Sequence, residues 1–204
     1  MTSRILAQLH DKIKGLTSQK DRADCCIYEV PKSLRLVNWK AYTPQLISIG
    51  PIHHGIDKRL EGMEKQKVMY YKEFTERHNM DEEKIGNLVR RIQEIEKAIR
   101  ASYLMNLTRI NRSDFIQMIL LDAVFIEFFQ ASNDDRGPKT LEPWMIFEIR
   151  EDLMLLENQI PFFVIRKYMT RSMKLPEMQK DLLCLILLPY ILANIRFQKR
   201  MKRA

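Results

Sequence analysis

The sequence contains few of the residues that disulfide-linked, metal-binding or glycine-loop proteins require. Its three cysteines include the adjacent pair Cys25 and Cys26, and no C-x-x-C spacing is present. This arrangement supports neither a disulfide framework nor a zinc site, and neither the pair nor Cys184 has a nearby histidine that would mark a nucleophile. The six glycines form no phosphate-binding loop. We therefore expect reduced thiols in a cytosolic setting, with neither metal nor cofactor.

Long apolar runs are also absent. Residues 1–16 contain four charged side chains and lack the block of about 7 to 15 apolar residues that a signal peptide has. An uncharged run at residues 182–193 is twelve residues long and contains Pro189, whereas about 20 residues are needed to span a bilayer. We therefore expect neither a signal peptide nor a membrane span.

Positive charge is concentrated near the C-terminus. The chain has a net charge of +8, but a cluster of five basic residues without an acid lies within residues 196–203, so the preceding residues carry only +3. This balance argues against nucleic-acid binding, which needs basic side chains gathered on one surface. The cluster fits contact with anionic lipid, nuclear import or a solvated tail, and the apolar run before it favours peripheral membrane contact among the functional interpretations. Its members are Arg196, Lys199, Arg200, Lys202 and Arg203.

The residues that are abundant favour helix. Hydrophobic residues make up 46% of the chain and charged residues 29%, with 12 methionines and many Leu, Ile, Glu, Lys and Arg, which lose little rotamer freedom in a helix. We predict a mainly α fold, a single helical domain over residues 1–204, with a short extended segment near residues 42–55. A polar loop at residues 133–140 is the candidate internal boundary, and residues 176–204 form an apolar and basic C-terminal segment.

Hydrophobic periodicity places the individual elements. Residues 60–79 and 85–103 are predicted to form an antiparallel helical hairpin, Ser33 and Ser113 are predicted N-caps, and residues 46–49 are a short strand candidate. Pro161 should bend or end the helix that precedes it. The predicted helical segments are residues 5–13, 34–41, 60–79, 85–103, 113–129, 143–156 and 161–169.

Four sequence blocks carry a resemblance to a known family. They are IYEVP at 27–31, AYTPQ at 41–45 with SIGPIHHG at 48–55, ME and K ahead of YY within 63–71, and DLMLLENQIPFF at 152–163. In this order they resemble the plant domain of unknown function 247 family, also called uncharacterised protein family 0481, over residues 27–168. The residues that match its motifs are Tyr42, Pro44, Gly50, Pro51, His53, His54, Gly55, Glu157, Asn158, Gln159 and Pro161.

The resemblance implies a plant protein with no established activity. Members are typically much longer than this chain and usually end in a hydrophobic segment taken as a membrane anchor, and some are linked to self-incompatibility in grasses. It therefore implies recognition and membrane association, with a cytoplasmic or membrane-peripheral location expected for this chain.

Two motifs offer candidate chemistry. His53 and His54 can serve as general bases or metal ligands, but adjacent side chains of an extended segment point to opposite faces, which favours a turn bonded to nearby backbone. Glu157 is either an active-site carboxylate or a partner of Arg or Lys, with Asn158 and Gln159 satisfying backbone groups freed by the following proline. Asp122 lies on an apolar helix, where it is either a buried acid or a residue at the edge of the apolar stripe.

No set of residues assembles into a catalytic site, so we assign none. We expect a noncatalytic interaction or recognition module that binds an unknown protein. The alternative is a hydrolase that uses His53 or His54 with Glu157 or Asp122, which requires an imidazole nitrogen within hydrogen-bond reach of a carboxylate in a shared cleft.

Overall fold

The computed structural model describes residues 26–131 and 141–165, together with Ile5. Within these ranges it contains six α-helices, two 3-10 turns and no β-strand, which confirms the mainly α prediction and the non-helical segment at residues 42–57. The helices are α1 (Lys32–Val37), α2 (Glu61–Arg77), α3 (Glu82–Ala101), α4 (Arg112–Ala131), α5 (Pro143–Met154) and α6 (Phe162–Val164), and the 3-10 turns are Trp39–Ala41 and Lys58–Leu60.

Helix α4 is the centre of the fold. Its apolar residues occur on all sides, the pattern of a buried helix, and most of them have almost no exposed surface. Both α2 and α3 pack against it. Tyr70 of α2 meets Phe125 of α4 edge to face, with ring centroids 5.2 Å apart, and the Arg100 guanidinium of α3 lies 3.9 Å from the ring centre of Phe115. The prediction that α2 and α3 pack on each other as a hairpin was therefore wrong in its contacts, because both helices pack mainly against α4.

Side-chain caps fix where two of these helices begin. Asp81 precedes α3 and accepts a hydrogen bond from the Lys84 N–H at 2.8 Å. At α4 the cap is Asn111, whose Oδ1 accepts from the Asp114 N–H at 2.9 Å. The prediction of Ser113 as the N-cap was therefore wrong by two positions, because the amide oxygen of Asn111 accepts the capping hydrogen bond instead.

Helix α1 differs from its prediction in position and in packing. It follows Pro31, not a serine cap, and it ends at Val37 because Asn38 leaves helical geometry, with φ −153° and ψ 84°. None of its residues is buried. The apolar spacing that predicted a helix here therefore does not mark a face turned to the core.

The predicted strand at residues 46–49 is absent. A strand needs a neighbour for its backbone hydrogen bonds, and the described part of the chain contains only an isolated bridge between Ile27 and Tyr103. Ile47 and Ile49 are nevertheless fully buried. Their backbone is satisfied by side chains of distant helices and loops.

Helix α5 ends well before Pro161. Its last residue is Met154, and residues 155–161 form a turn and an extended stretch that lead into the short α6. Most of the predicted helix at residues 5–13, the loop at residues 133–140, the residues after 165 and the segment 176–204 lie outside the described residues. No helix of the described ranges is long and apolar enough to cross a bilayer.

Candidate functional site

Buried polar side chains converge on the non-helical residues 42–55, which we call the central segment. This segment runs through the core, where each unpaired N–H or C=O costs free energy unless a hydrogen bond replaces water. No strand of the described residues lies beside it. The bonds come instead from four polar groups, centred on Asp152, Asn158, Lys67 with Asp122, and Arg109.

Asp152 binds the start of the central segment. Its carboxylate accepts hydrogen bonds from the N–H groups of Gln45, Leu46 and Ile47 at 2.8, 2.7 and 2.8 Å. Burial raises the pKa of Asp152, although the three N–H donors oppose that shift. One carboxylate at the end of α5 thus holds three consecutive residues of a segment more than a hundred positions away.

Asn158 binds the middle of the segment and is completely buried. Its Oδ1 accepts from the Ile49 N–H at 2.6 Å, and its Nδ2 donates to the carbonyls of Ile47 and Asp152, both at 2.9 Å. The sequence hypothesis that Asn158 satisfies backbone groups was right in kind but wrong in detail. The groups belong to the central segment and to α5, not to the residues before Pro161.

We expect Asn158→Ala to lower the free energy of unfolding by about 1 to 3 kcal/mol, toward the upper end, because three buried hydrogen bonds to backbone are lost. Chemical denaturation monitored by circular dichroism measures the change. Asn87→Ala is the matched control, since Asn87 only accepts from the exposed Arg90, and a change within about 0.5 kcal/mol is expected. Equal effects of the two substitutions would contradict the role of Asn158.

A buried lysine holds the next part of the segment. Lys67 of α2 has no exposed surface and donates to the Ser48 carbonyl, to Asp122 Oδ1 at 2.6 Å and to Glu64 Oε1 at 2.7 Å. The other oxygen of Asp122 accepts from the Gly50 N–H at 2.7 Å. Burial disfavours the charged ammonium, but the two carboxylates outweigh it and raise the pKa of Lys67. Asp122 is therefore a buried, paired acid.

Gly50 lies where the segment turns most sharply. Its φ is +73°, and a Cβ there would stand 2.2 Å from the carbonyl oxygen of Gln159, which also accepts a hydrogen bond from the Tyr103 hydroxyl at 2.8 Å. Only glycine fits this approach. Beyond the turn, Arg109 donates to the carbonyl of Pro51, and to those of Ile52 at 3.2 Å and His54 at 3.1 Å.

Glu157 connects the chain before α1 to this centre. Its side chain has no exposed surface and accepts from the Val30 N–H and from Arg35. His53 Nε2 lies 3.3 Å from Glu157 Oε2, a close contact without the alignment of a hydrogen bond. Burial opposes ionisation, but His53, Arg35 and the Val30 N–H outweigh it and hold the pKa of Glu157 below its usual value.

The structure therefore brings most of the predicted motif residues together around one segment. Tyr42 and Pro44 begin the segment and the exposed Gly55 ends it, while Glu157, Asn158 and Gln159 approach from the chain that follows α5. His54 lies apart from His53, with its Nδ1 3.8 Å from Glu64 Oε2. Cys26 is partly buried, whereas Cys25, Cys184 and the C-terminal basic cluster lie outside the described residues.

Sequence reasoning missed three of the residues that hold the segment: Lys67, Arg109 and Asp152. Lys67 carried a usable signal, because a charged residue on the apolar face of a helix needs a buried partner, and Asp122 is the matching residue of opposite sign. The described ranges contain no group of three or more His, Cys, Asp or Glu placed to hold a metal ion. Taken together, the polar side chains of this site form hydrogen bonds to the backbone of the central segment.

Comparison with known proteins identifies the family. The profile of the plant protein family of unknown function DUF247 matches residues 27–202. The chain is 34% identical over 156 residues to the UPF0481 protein At3g47200 of Arabidopsis thaliana, covering 74% of this chain and 32% of that protein. It is 32% identical over 162 residues to the putative UPF0481 protein At3g02645 of the same plant, covering 79% and 30%.

The chain thus spans about a third of the length of these curated relatives. No solved structure matches it significantly. The matched region contains the side chains described above that bind the backbone of the central segment, from Lys67 to Asn158. The chain belongs to the plant domain of unknown function 247 family, as its motifs indicated.

Proposed function

We propose that this chain is a noncatalytic protein-interaction module. The observation that supports this most is the use of its buried polar groups. Asp122, Asp152 and Asn158 are all bonded to the backbone of the central segment. Groups that are bonded in this way hold a fixed shape and are not available to bind and transform a substrate.

The alternative, a hydrolase built on His53 and Glu157, has one observation in its favour, the 3.3 Å contact between them. Three features weigh against it. The carboxylate has no exposed surface, it already accepts from Val30 and Arg35, and the His53 side chain is only 11% exposed. A general base has to reach the proton of a bound substrate or water, so the near-complete burial of this pair supports a noncatalytic role over the hydrolase.

The exposed face of α5 offers a surface for a protein partner. Trp144 is 59% exposed, Phe147 71% and Met154 57%, and their spacing of three and seven residues places them on one side of the helix. Aromatic residues and methionine are enriched in interfaces. Glu148 and Glu151 are exposed on the same side, so the complementary partner is a protein with an apolar patch bordered by basic residues.

Affinity purification from plant tissue tests this proposal when the captured protein is then made pure and titrated directly. We expect the wild-type chain and Val68→Glu, which adds a charge at an exposed apolar position on another helix, α2, to bind it equally. Phe147→Glu should bind at least about tenfold more weakly, because it removes a central apolar contact and adds a buried charge.

Two outcomes would overturn the proposal. One is that no captured protein binds the purified chain directly. The other is a hydrolytic activity of the pure chain that His53→Gln abolishes while the melting temperature is unchanged. A separate proposal, peripheral membrane contact through Arg196, Lys199, Arg200, Lys202 and Arg203, rests on their charge and on the apolar run before them, and these residues lie outside the described ranges.

A further inference from the structure

Helix α1 and the turn after it expose four large apolar side chains that are close together in sequence. Leu36 is 87% exposed and Val37 84%, and Leu34 and Trp39 are about half exposed. No residue of α1 or of the turn Trp39–Ala41 is buried. We call Leu34, Leu36, Val37 and Trp39 the α1 surface. Large apolar side chains this exposed and this close in sequence are typical of a contact site, whereas single exposed ones are ordinary.

The charged residues along the α1 surface are basic, and the nearest exposed acid in the sequence is Glu29, which precedes it. Residues 30–56 contain no Asp or Glu, and Lys32 and Lys40 stand exposed at the two ends of the surface. Arg35 is committed to Glu157, whereas Lys40 has no carboxylate partner among the described residues and its ammonium lies 6.0 Å from the ring centre of Trp39. The apolar face of α5 has neighbours of the opposite charge, since the exposed residues beside it include Glu148 and Glu151.

The α1 surface is attached firmly to the core in spite of its exposure. The buried carboxylate of Glu157 accepts from the Val30 N–H just before α1 and from Arg35 within it, and Arg35 also donates to Thr43 at 3.2 Å. The short helix is therefore held in one orientation before it meets a partner, which lowers the entropy lost on binding.

We propose that the α1 surface binds the headgroup region of an anionic phospholipid membrane. Tryptophan favours the interface between headgroups and acyl chains, Leu36 and Val37 can enter the acyl boundary, and Lys32 and Lys40 can contact lipid phosphates. The helix is about 9 Å long and cannot cross a core of about 30 Å, so the contact is a surface one. This inference goes beyond the interaction module and involves a different face.

The two tryptophans of the chain give the experiment its internal control. Trp144→Phe leaves Trp39 as the reporter of the α1 surface, and Trp39→Phe leaves Trp144 as the reporter of the acidic α5 face. Each full-length variant is mixed with vesicles of phosphatidylcholine alone or of phosphatidylcholine with phosphatidylserine. Emission wavelength and quenching by lipids brominated in the acyl chain report whether each indole enters the membrane.

We expect Trp39 to shift to shorter wavelength and to be quenched only with phosphatidylserine present, and Trp144 to do neither. Val37→Glu should weaken vesicle partitioning by about tenfold or more, because it exchanges an apolar contact for a charge repelled by the lipid. Phe147→Glu should leave partitioning unchanged. Added salt should reduce the binding, since the lysine contacts are screened.

The C-terminal basic cluster could adsorb to the same vesicles, so the fluorescence is repeated with all five of its basic residues changed to glutamine. Quenching of Trp39 in that variant supports the proposal, and its loss would assign the binding to the C-terminus and overturn it. Equal quenching of both tryptophans would also overturn it, because it indicates nonspecific insertion. A response of Trp39 to a purified acidic protein and not to vesicles would replace lipid by protein as the partner.

Discussion

Replacing Lys67 by methionine is expected to lower the free energy of unfolding by about 3 to 5 kcal/mol, the usual range for removing one partner of a buried ion pair. The ammonium has no exposed surface and bonds to Asp122, Glu64 and the Ser48 carbonyl. Without it the Asp122 carboxylate stays buried with only the Gly50 N–H as a donor. The main cost therefore comes from the charge left behind rather than from the lost lysine.

A double-mutant cycle separates these two contributions. Lys67→Met combined with Asp122→Asn should lose clearly less than the sum of the single losses, because the second change removes the stranded charge while its side-chain oxygen can still accept from Gly50. Lys72→Met is the surface control, since Lys72 is 77% exposed and its ammonium makes only a long contact, 3.8 Å, with the Glu76 carboxylate. Its loss in free energy of unfolding is expected to be about 0.5 kcal/mol or less. Additive losses at Lys67 and Asp122 would contradict the pairing.

The sequence was sufficient to predict most of the helices, but it was insufficient to predict the contacts that hold them together. Helices α2, α3 and α4 follow from local spacing of apolar residues, which the chain carries within about 20 positions. Helix α1 shows the limit of that reasoning, because Leu34 and Val37 have helical spacing yet face solvent. The spacing of apolar residues indicates that a helix has an apolar side, but it does not indicate whether that side contacts the core or a partner.

Residues 46–49 show a second limit. Their apolar and β-branched pattern fits a buried strand, and Ile47 and Ile49 are as buried as strand residues would be. The strand fails to form because side chains of Asp152 and Asn158 occupy the place of a neighbouring strand. Such partners lie more than a hundred residues away, and a pattern in one segment contains no information about them.

The polar residues of the site were partly predictable. Asn158 and Glu157 were recognised because they interrupt an apolar run, which implies buried groups that need hydrogen bonds. Their partners were not predictable, since Asn158 accepts from Ile49 and Glu157 accepts from Val30, each more than a hundred positions away. Recognising which polar groups are buried is a local inference, and pairing them requires the fold.

Glu127 of α4 differs from the buried carboxylates described above, which are all paired, and it was not flagged by its sequence context. Its side chain is buried, and neither carboxyl oxygen has a hydrogen-bond partner in the part of the chain that the structure describes. Burial raises the pKa of Glu127 from 4.5 to about 8. The folded chain therefore keeps this carboxyl protonated at neutral pH, whereas the unfolded chain ionises it.

The pH dependence of stability follows from that difference. Below pH 4.5 both states hold the proton, and the group has no effect. From there to about pH 8 the unfolded state releases a proton that the folded state keeps, so the free energy of unfolding falls by about 1.4 kcal/mol per pH unit. Above that value both states are ionised and the loss is complete. At pH 7 the accumulated loss is roughly 3 kcal/mol.

Glu127→Gln should remove this loss, because glutamine has a similar shape and no charge at any pH. We expect the variant to match the wild type near pH 4.5 and to exceed its free energy of unfolding by roughly 3 kcal/mol at pH 7, measured by urea denaturation at half-unit steps from pH 5 to 8. Taking the difference between the two proteins cancels groups common to both, including His78, whose lowered pKa acts in the opposite direction over this range. Glu94→Gln, at an exposed position on α3, is the matched control and should leave the pH dependence unchanged. A constant difference between Glu127→Gln and wild type across the range would show that Glu127 is ionised in the folded chain and has a partner, which would overturn the prediction.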